Sequence, residues 1–342
     1  MTKKDSVLAG IDEAGLGPLL GPLVVGKSVF KLDREKYTGK IPNLWVVFKQ
    51  LISKDKKATD KIVITDSKKL HKPGKIVALE ETVLSVLHSI NDVEKRLSVL
   101  DFLNLVCEKD EIDRILKQPW FEDLSMLLPL EASSDLCKHR GHRLQNVFED
   151  TGVKLAVLRA QIVTAHLFNG LIDKYQNKSY AHWAVVVSLI KEVLTHDLES
   201  TIIVDKQGGR DFYGEMLRQS MPDASISAHF EGKTITSHSE KPTDPEKERK
   251  FSDYYIENSS GKHKIAFVSQ GEDYSLPVAL GSCVAKYVRE VLMHVFNKYF
   301  RDKYPDLKPT KGYYTDGMRF LRDLTKLGYP IEKYRDFLVR KR

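Results

Sequence analysis

The chain has 342 residues, 42% apolar and 30% charged, enough to bury a large core and too ordered in composition for a disordered or low-complexity polypeptide. Its 54 Lys and Arg against 47 Asp and Glu leave a net charge of +7, compatible with a polyanionic partner without demonstrating one. No run approaches the ~18 apolar residues of a membrane-spanning helix, and Cys107, Cys137 and Cys283 lack the number and spacing of a disulfide framework or a cysteine metal site.

Met1-Thr2-Lys3-Lys4-Asp5 leads straight into an apolar run with no signal-peptide core. With the thiols read as reduced, a cytoplasmic protein without a membrane anchor is expected. Leu8-Ala9-Gly10-Ile11 then reads as a strand that ends in two adjacent carboxylates, Asp12 and Glu13. Gly15, Gly17, Pro18, Gly21 and Pro22 predict a tight turn, and a second strand runs over about 22–31. Side chains alternate along a strand, so the two acids diverge unless the backbone turns there. Gly15 and Gly17 permit φ > 0 and close approach of a ligand to the backbone. An acidic pair at a strand end is costly unpaired, and a divalent cation is one common solution. A solvated strand end followed by a Gly-Pro hairpin is the other.

A helix containing Trp45, Val46, Phe48 and Leu51 follows, then lysine-rich 54–57 and a β-branched strand over 61–65. Asp66-Ser67-Lys68-Lys69-Leu70 sits at a strand-to-helix junction, where amides, a hydroxyl and two cations make a phosphate seat, or simply a capped helix with solvated lysines. Pro73 suits a helix N1 position, with Ile76, Leu79, Val83 and Leu87 continuing at helical spacing. Residues 91–200 read as mostly helical, including one long helix from Val153 to Tyr175 and another from Ala181 to Leu194. The basic run His139–Arg143 reads as an exposed loop or helix start. Thr201–Val204 repeats the opening logic, an apolar strand delivering Asp205 before a Gly-containing turn. A helix over about 211–219, alternating stretches over 224–238 and the charged loop Glu240–Lys250 come next. Ser252–Ile256 and Lys264–Val268 read as strands around a turn, followed by Gly271-Glu272-Asp273. Pro277 opens a long helix carrying Val284, Val288, Val291 and Val295.

Asp12-Glu13-Ala14-Gly15-Leu16-Gly17-Pro18 resembles the opening motif of type 2 ribonuclease H (ribonuclease HII), which usually carries Arg where this chain has Leu16. Asp66-Ser67-Lys68-Lys69-Leu70 resembles the family's second motif. Ser282-Cys283-Val284-Ala285-Lys286-Tyr287-Val288-Arg289 resembles its Ser-apolar-apolar-Ala-Lys-x-x-Arg helix. Tyr304-Pro305 and Lys311-Gly312-Tyr313-Tyr314-Thr315 follow its C-terminal order, although Thr310, Met318 and Tyr334 stand near positions where histidines are frequent. The resemblance implies an α/β fold of the ribonuclease H type, a central mixed five-stranded sheet flanked by helices. A single domain over 1–342 would carry a helical insertion at about 91–160, a β-rich insertion at about 220–262 and a C-terminal helical cap at about 300–342.

By the same resemblance Asp12, Glu13, Asp205 and either Glu272 or Asp273 are metal-binding and catalytic carboxylates. Counting back from Lys286 selects Glu272 and counting from Pro277 selects Asp273. Like charges so close raise one another's pKa, and two Mg²⁺ or Mn²⁺ ions with hard oxygen ligands relieve this while activating water on a phosphodiester. Gly15, Leu16, Gly17 and Tyr313 are the implied readers of a ribose 2′-hydroxyl, with Ser67, Lys68, Lys69 and Lys286 completing the substrate-binding set. Core packing is the competing reading for Tyr313. The expected activity is hydrolysis of the RNA strand, or of embedded ribonucleotides, in RNA–DNA duplexes by a monomeric enzyme. The rivals are a nuclease of the same fold acting on another nucleic-acid structure, suggested by Leu16 and the insertions, and a non-catalytic nucleic-acid-binding protein.

Overall fold

The computed structural model describes residues 6–341 apart from 34, 38–40, 71–74, 94, 196–197 and 238–246. The expectations placed on Met1–Asp5, on Pro73 and on most of the Glu240–Lys250 loop therefore lie outside the described residues. Strand β1 (Ser6–Ala14) is buried along nearly its whole length, as its continuous apolar sequence requires of a central strand. It pairs antiparallel with β2 (Leu23–Leu32), placing Asp12 opposite Gly26. The helix expected around Trp45–Leu51 is a single turn, α1 (Leu44–Val47), capped by the Asn43 side chain accepting from the Trp45 amide. Strands β3 (Ile52–Ser53) and β4 (Ile62–Val63) form a separate two-residue parallel pair. Helix α2 (Ser67–Leu70) is also one turn, and α3 (Val77–His88) buries Leu79, Val83 and Leu87 as the spacing predicts.

Helices α4 (Val99–Val106), α5 (Lys109–Leu116) and α6 (Ser134–Thr151) follow, α4 opening on a Ser98–Asp101 capping box. The His139–Arg143 run lies within α6 rather than in a loop; His139, His142 and Arg143 are exposed, whereas Arg140 is buried, donating to Glu81 at 2.9 Å and to the Thr59 carbonyl at 2.6 Å.

The expected long helix from Val153 to Tyr175 is corrected by the structure. Gly152, at φ 71°, ends α6 in the left-handed conformation. Residues Val153–Val163 are then strand β5, antiparallel to β2, and only Ala165–Tyr175 is helical (α7), capped by Thr164. Leu155, Leu158 and Ile162 fit both periodicities because the ladder shifts register at Val29/Phe30, which breaks the strict alternation a strand would show. The helical stretch therefore stops at Thr151, short of the expected boundary near 160.

Helix α8 (Lys178–Leu194) leads to β6 (Glu199–Asp205), parallel to β1. Helix α9 (Gly214–Ser220) starts after Phe212, which is exposed. Strands β7 (Ser225–Ser237), β8 (Lys247–Asn258) and β9 (Gly261–Val268) follow, then α10 (Gly271–Tyr274), α11 (Leu276–Lys303), α12 (Tyr314–Lys326) and α13 (Ile331–Leu338). The main sheet has the order β5-β2-β1-β6-β9-β8-β7. The expected mixed five-stranded sheet is its first five strands; β8 and β7, from the β-rich stretch, extend it to seven. Helices flank both faces, with α11 on one and α8 on the other, each over its own apolar cluster. Among the described residues no helix is long and apolar enough to cross a membrane.

Helix α11 lies directly on the backbones of β1 and β2. A Cβ on Gly10 would overlap Pro277 and Val278, and one on Gly26 would overlap the Gly281 carbonyl. The Ser28 hydroxyl donates to the Pro277 carbonyl at 2.8 Å, fixing the helix start on the sheet. Gly26→Ala should therefore force α11 outward and lower stability by about 1–3 kcal/mol, measured by urea unfolding. Gly17→Ala, with nothing within 4 Å of the added methyl, should stay within about 0.5 kcal/mol of wild type. Equal midpoints for the two variants would contradict this packing.

Candidate active site

Parallel pairing of β1 and β6 sets Ile11 beside Val204, so the next residues, Asp12 and Asp205, emerge at the same carboxyl end of adjacent strands. That end of a parallel pair is the usual place for a site in α/β sheets. The chain leaves β9 through Gln270, at φ 54°, and enters α10, whose first amide, Gly271 N, donates to Asp205 Oδ1 at 2.8 Å. This bond draws the next residue, Glu272, toward the strand ends. Asp12, Glu13, Asp205 and Glu272 are thus brought together from three distant segments.

Their electrostatics record this proximity. Asp12, 8% exposed, is pushed up to about 7 by burial and then by Glu272, against the opposing hydrogen bond of Ser282. Burial, then Asp12, raises Glu13 to about 8, and burial, Asp12 and Glu272 raise Asp205 to about 9. Lys68 is the cation that answers them: burial opposes its charge, but Asp12, Asp66, Glu272 and Asp205 carry its pKa upward overall. Glu272 Oε2 is buried with no hydrogen-bond partner. Among the described residues, no three His, Cys, Asp or Glu side chains are already arranged to hold a metal ion, so the four acids are electrostatic neighbours rather than a closed cage. Their chemistry nevertheless fits hard divalent cations: an oxygen-only donor set, like charges in one small volume, and an orphaned carboxylate oxygen.

The two candidates for the fourth acid are placed differently. The Asp273 carboxylate is paired with Lys69 Nζ at 2.8 Å, and its carbonyl accepts from Lys54 Nζ at 3.4 Å. Glu272 bears directly on Asp12, Glu13 and Asp205. Of the expected phosphate seat, Lys68 is exposed beside the acids, whereas Lys69 is bound to Asp273 and Ser67 is buried against the Ser282 hydroxyl at 2.9 Å. Ser67 is thus a packing contact rather than an open phosphate ligand. Lys286 is half-buried and bonded along its own helix to Glu290 at 2.6 Å.

The glycine turn meets the Lys311–Tyr313 segment. The amides of Leu19 and Leu20 donate to the Gly312 carbonyl at 2.7 and 3.0 Å, and Arg289 donates to the carbonyls of Pro22 and Lys311 at 3.2 and 3.1 Å. Tyr313 is 56% exposed, which overturns its competing reading as a core residue. Gly17 is exposed, while the Leu16 side chain packs partly against the α8-side core. Residues that sequence reasoning missed include Ser282, visible only as part of a motif, and His182. Buried His182 Nε2 lies 3.6 Å from Glu13 Oε2 with no hydrogen-bond partner, and burial with Lys178 and Arg210 lowers its pKa to about 4, so it meets Glu13 as a neutral ring. An unremarkable position on an apolar helix gave no signal for it.

No protein-family model and no curated protein matches the chain. Among solved structures it is similar to the RNase HII of Archaeoglobus fulgidus in complex with PCNA (12% identity, 98% of this chain and 94% of that one, TM-score 0.38). It is also similar to ribonuclease H2 from Pyrococcus horikoshii (12% identity, 97% and 92% covered, TM-score 0.38) and to Bst-RNase HIII in complex with Mn²⁺ (12% identity, 98% and 66% covered, TM-score 0.36).

In chelator, the folded protein holds protons on these carboxylates that the unfolded chain releases near pH 4. Stability from this source is complete below that value and is lost as pH rises toward about 7, 8 and 9 for Asp12, Glu13 and Asp205. The melting temperature should fall between pH 5 and pH 9, and Asp205→Asn should flatten the fall. A profile that rises over that window would contradict the crowding of the acids.

Proposed function

We propose that the chain is a divalent-metal-dependent endonuclease of the ribonuclease H type, cutting the RNA strand or embedded ribonucleotides of RNA–DNA duplexes as a cytoplasmic monomer. The expected products carry a 3′-hydroxyl and a 5′-phosphate. The observation that carries this reading is the gathering of Asp12, Glu13, Asp205 and Glu272 at one end of β1 and β6 with too little positive charge to neutralise them. Those four side chains would hold Mg²⁺ or Mn²⁺, which when bound supply an activated water and stabilisation of the leaving oxygen.

The chain's own groups do the positioning. The Asp12 carboxylate is held by the Glu13 amide at 2.7 Å and by the Ser282 hydroxyl, so its orientation is set before a ligand arrives. Asp205 is fixed by the Gly271 amide, and the unpartnered Glu272 oxygen is free to accept a ligand. Lys68 offers positive charge to a phosphate beside the acids. Gly15 to Gly17 present main-chain groups, and the exposed Tyr313 hydroxyl lies on the segment docked against the same turn, a combination suited to a ribose 2′-hydroxyl. Leu16 directs its side chain inward, so this turn lacks a guanidinium for phosphate.

With labelled RNA–DNA hybrid and Mg²⁺ or Mn²⁺, the wild type should cleave. Asp12→Asn and Glu272→Gln should each lose more than ~100-fold, exceeding the 10–100-fold typical of residues that merely support ligands. Asp273→Asn should stay within about tenfold of wild type. Failure of the wild type to cut, with metal bound, would remove the nuclease reading, and efficient cutting of all-DNA duplex would remove the 2′-hydroxyl role of Tyr313.

A further inference from the structure

Strand β8 turns Phe251, Asp253 and Tyr255 to one face of the sheet and buries Ser252, Tyr254 and Ile256 on the other. On the first face, beyond the cover of α11, aromatic and cationic side chains adjoin one another. The His229 ring lies 3.9 Å from Phe230 and 5.5 Å from Tyr255, centroid to centroid. Lys233 Nζ stands 4.0 Å over the Phe230 ring and Lys264 Nζ 5.6 Å over Tyr255. Asp253 is wholly buried, and its carboxylate orients His229 at 3.1 Å and Lys264 at 2.8 Å. Phe230 and Tyr255 remain 38% and 48% exposed. The aromatic line continues toward the acids: Phe251 lies 6.4 Å from Tyr274, itself exposed and two residues after Glu272.

We propose that this face is a binding track for single-stranded nucleic acid, receiving the unpaired extension of a substrate whose duplex part occupies the candidate active site. The proposal rests on the nuclease reading for its substrate but on separate residues for its chemistry. Exposed rings on a sheet face stack on unpaired bases, which a duplex does not offer, because its bases already stack on one another. Lys233, paired across from Phe251, and Lys264, paired across from Tyr255, supply the backbone neutralisation, and the Asp253 carboxylate bound to Lys264 is inside the sheet. Two rings separated along the strands suit successive bases rather than a single small ligand. The bulged register of β7 between Ala228 and Lys233 turns His229 and Phe230 outward together.

The test is fluorescence anisotropy in chelator, where no turnover occurs, with a blunt RNA–DNA hybrid and the same hybrid carrying a single-stranded oligo(dT) extension. The wild type should bind the extended hybrid at least ~10-fold more tightly, and the Phe230→Ala/Tyr255→Ala double variant should lose that preference. Both substituted side chains are exposed, so melting temperature and blunt-hybrid cleavage should be unchanged. The conservative Tyr255→Phe variant should keep the preference. Equal binding of blunt and extended hybrids by the wild type, or an unaltered preference in the double variant, overturns the track. A wild type that cleaves no hybrid yet shows the preference, with the double variant losing it, overturns the nuclease reading while leaving the track standing.

Discussion

The contact on which the structure depends is the bare approach of α11 to β1 and β2. Gly10, Gly26 and Gly281 leave no side-chain layer between the helix and the two strands. That proximity lets Ser282 reach both Asp12 and Ser67, and lets the Cys283 thiol approach the Thr65 carbonyl at 3.4 Å. One helix thereby clamps the end of β1 to the 65–67 segment, which in turn sets Lys68 beside the acids. Pro277, in the first turn of α11, lacks the N–H that a helix start leaves unpaired in any case. A helix held off by ordinary side chains would leave Asp12 without its hydroxyl partner.

Buried acids elsewhere in the same protein show what a finished structural carboxylate looks like. Glu80 is fully buried, but its oxygens accept from the amides of Leu130, Glu131 and Ala132 at 2.6, 2.7 and 2.9 Å and from the Tyr287 hydroxyl at 3.1 Å. Glu111 is paired with Arg159 at 2.9 Å and with the Ile162 amide at 3.3 Å. These acids pin the helical insertion to α3, α11 and β5. The cluster at Asp12 is different in kind: its members face one another, and one Glu272 oxygen has no partner at all. Buried polar groups are ordinarily satisfied, so a site that leaves like charges adjacent and one oxygen orphaned is organised around something that arrives later.

Much of this was legible in the chain. The strand-turn-strand opening, the strand delivering Asp205 and the helix after Pro277 carry unambiguous local signals, and they are the elements that bring the acids together. The β5 strand was not legible, because its irregular pairing with β2 blurs the two-residue period and places Leu155, Leu158 and Ile162 at helix-like spacing. The choice between Glu272 and Asp273 was equally closed to counting: neighbours in sequence, they are separated only by the turn at Gln270 and by the Lys69 pair. Ser67 looked like a phosphate ligand because nothing in its local sequence announces a hydroxyl 215 positions away. His182 was invisible for the same reason. Pairing across long separations is a property of the tertiary fold, and no short-range pattern encodes it.

The glycine turn illustrates how such long-range pairing decides chemistry. Gly15 and Gly21 adopt φ of 88° and 80°, and a Cβ on either would run into the Arg289 side chain beneath. That guanidinium is buried with carbonyls rather than carboxylates as partners, and burial presses its pKa downward. Arg340 adds a donor to the Pro18 carbonyl from the far end of the chain, where burial and Arg289 likewise lower its pKa. Two desolvated cations are therefore committed to holding the turn against Lys311 and Gly312. With Leu16 packed inward, the turn's outward face consists of backbone, and Tyr313 stands exposed on the docked segment. Any discrimination made at this edge must come from main-chain geometry held rigid from below, which explains why so much buried charge is invested in a turn with so little side chain of its own.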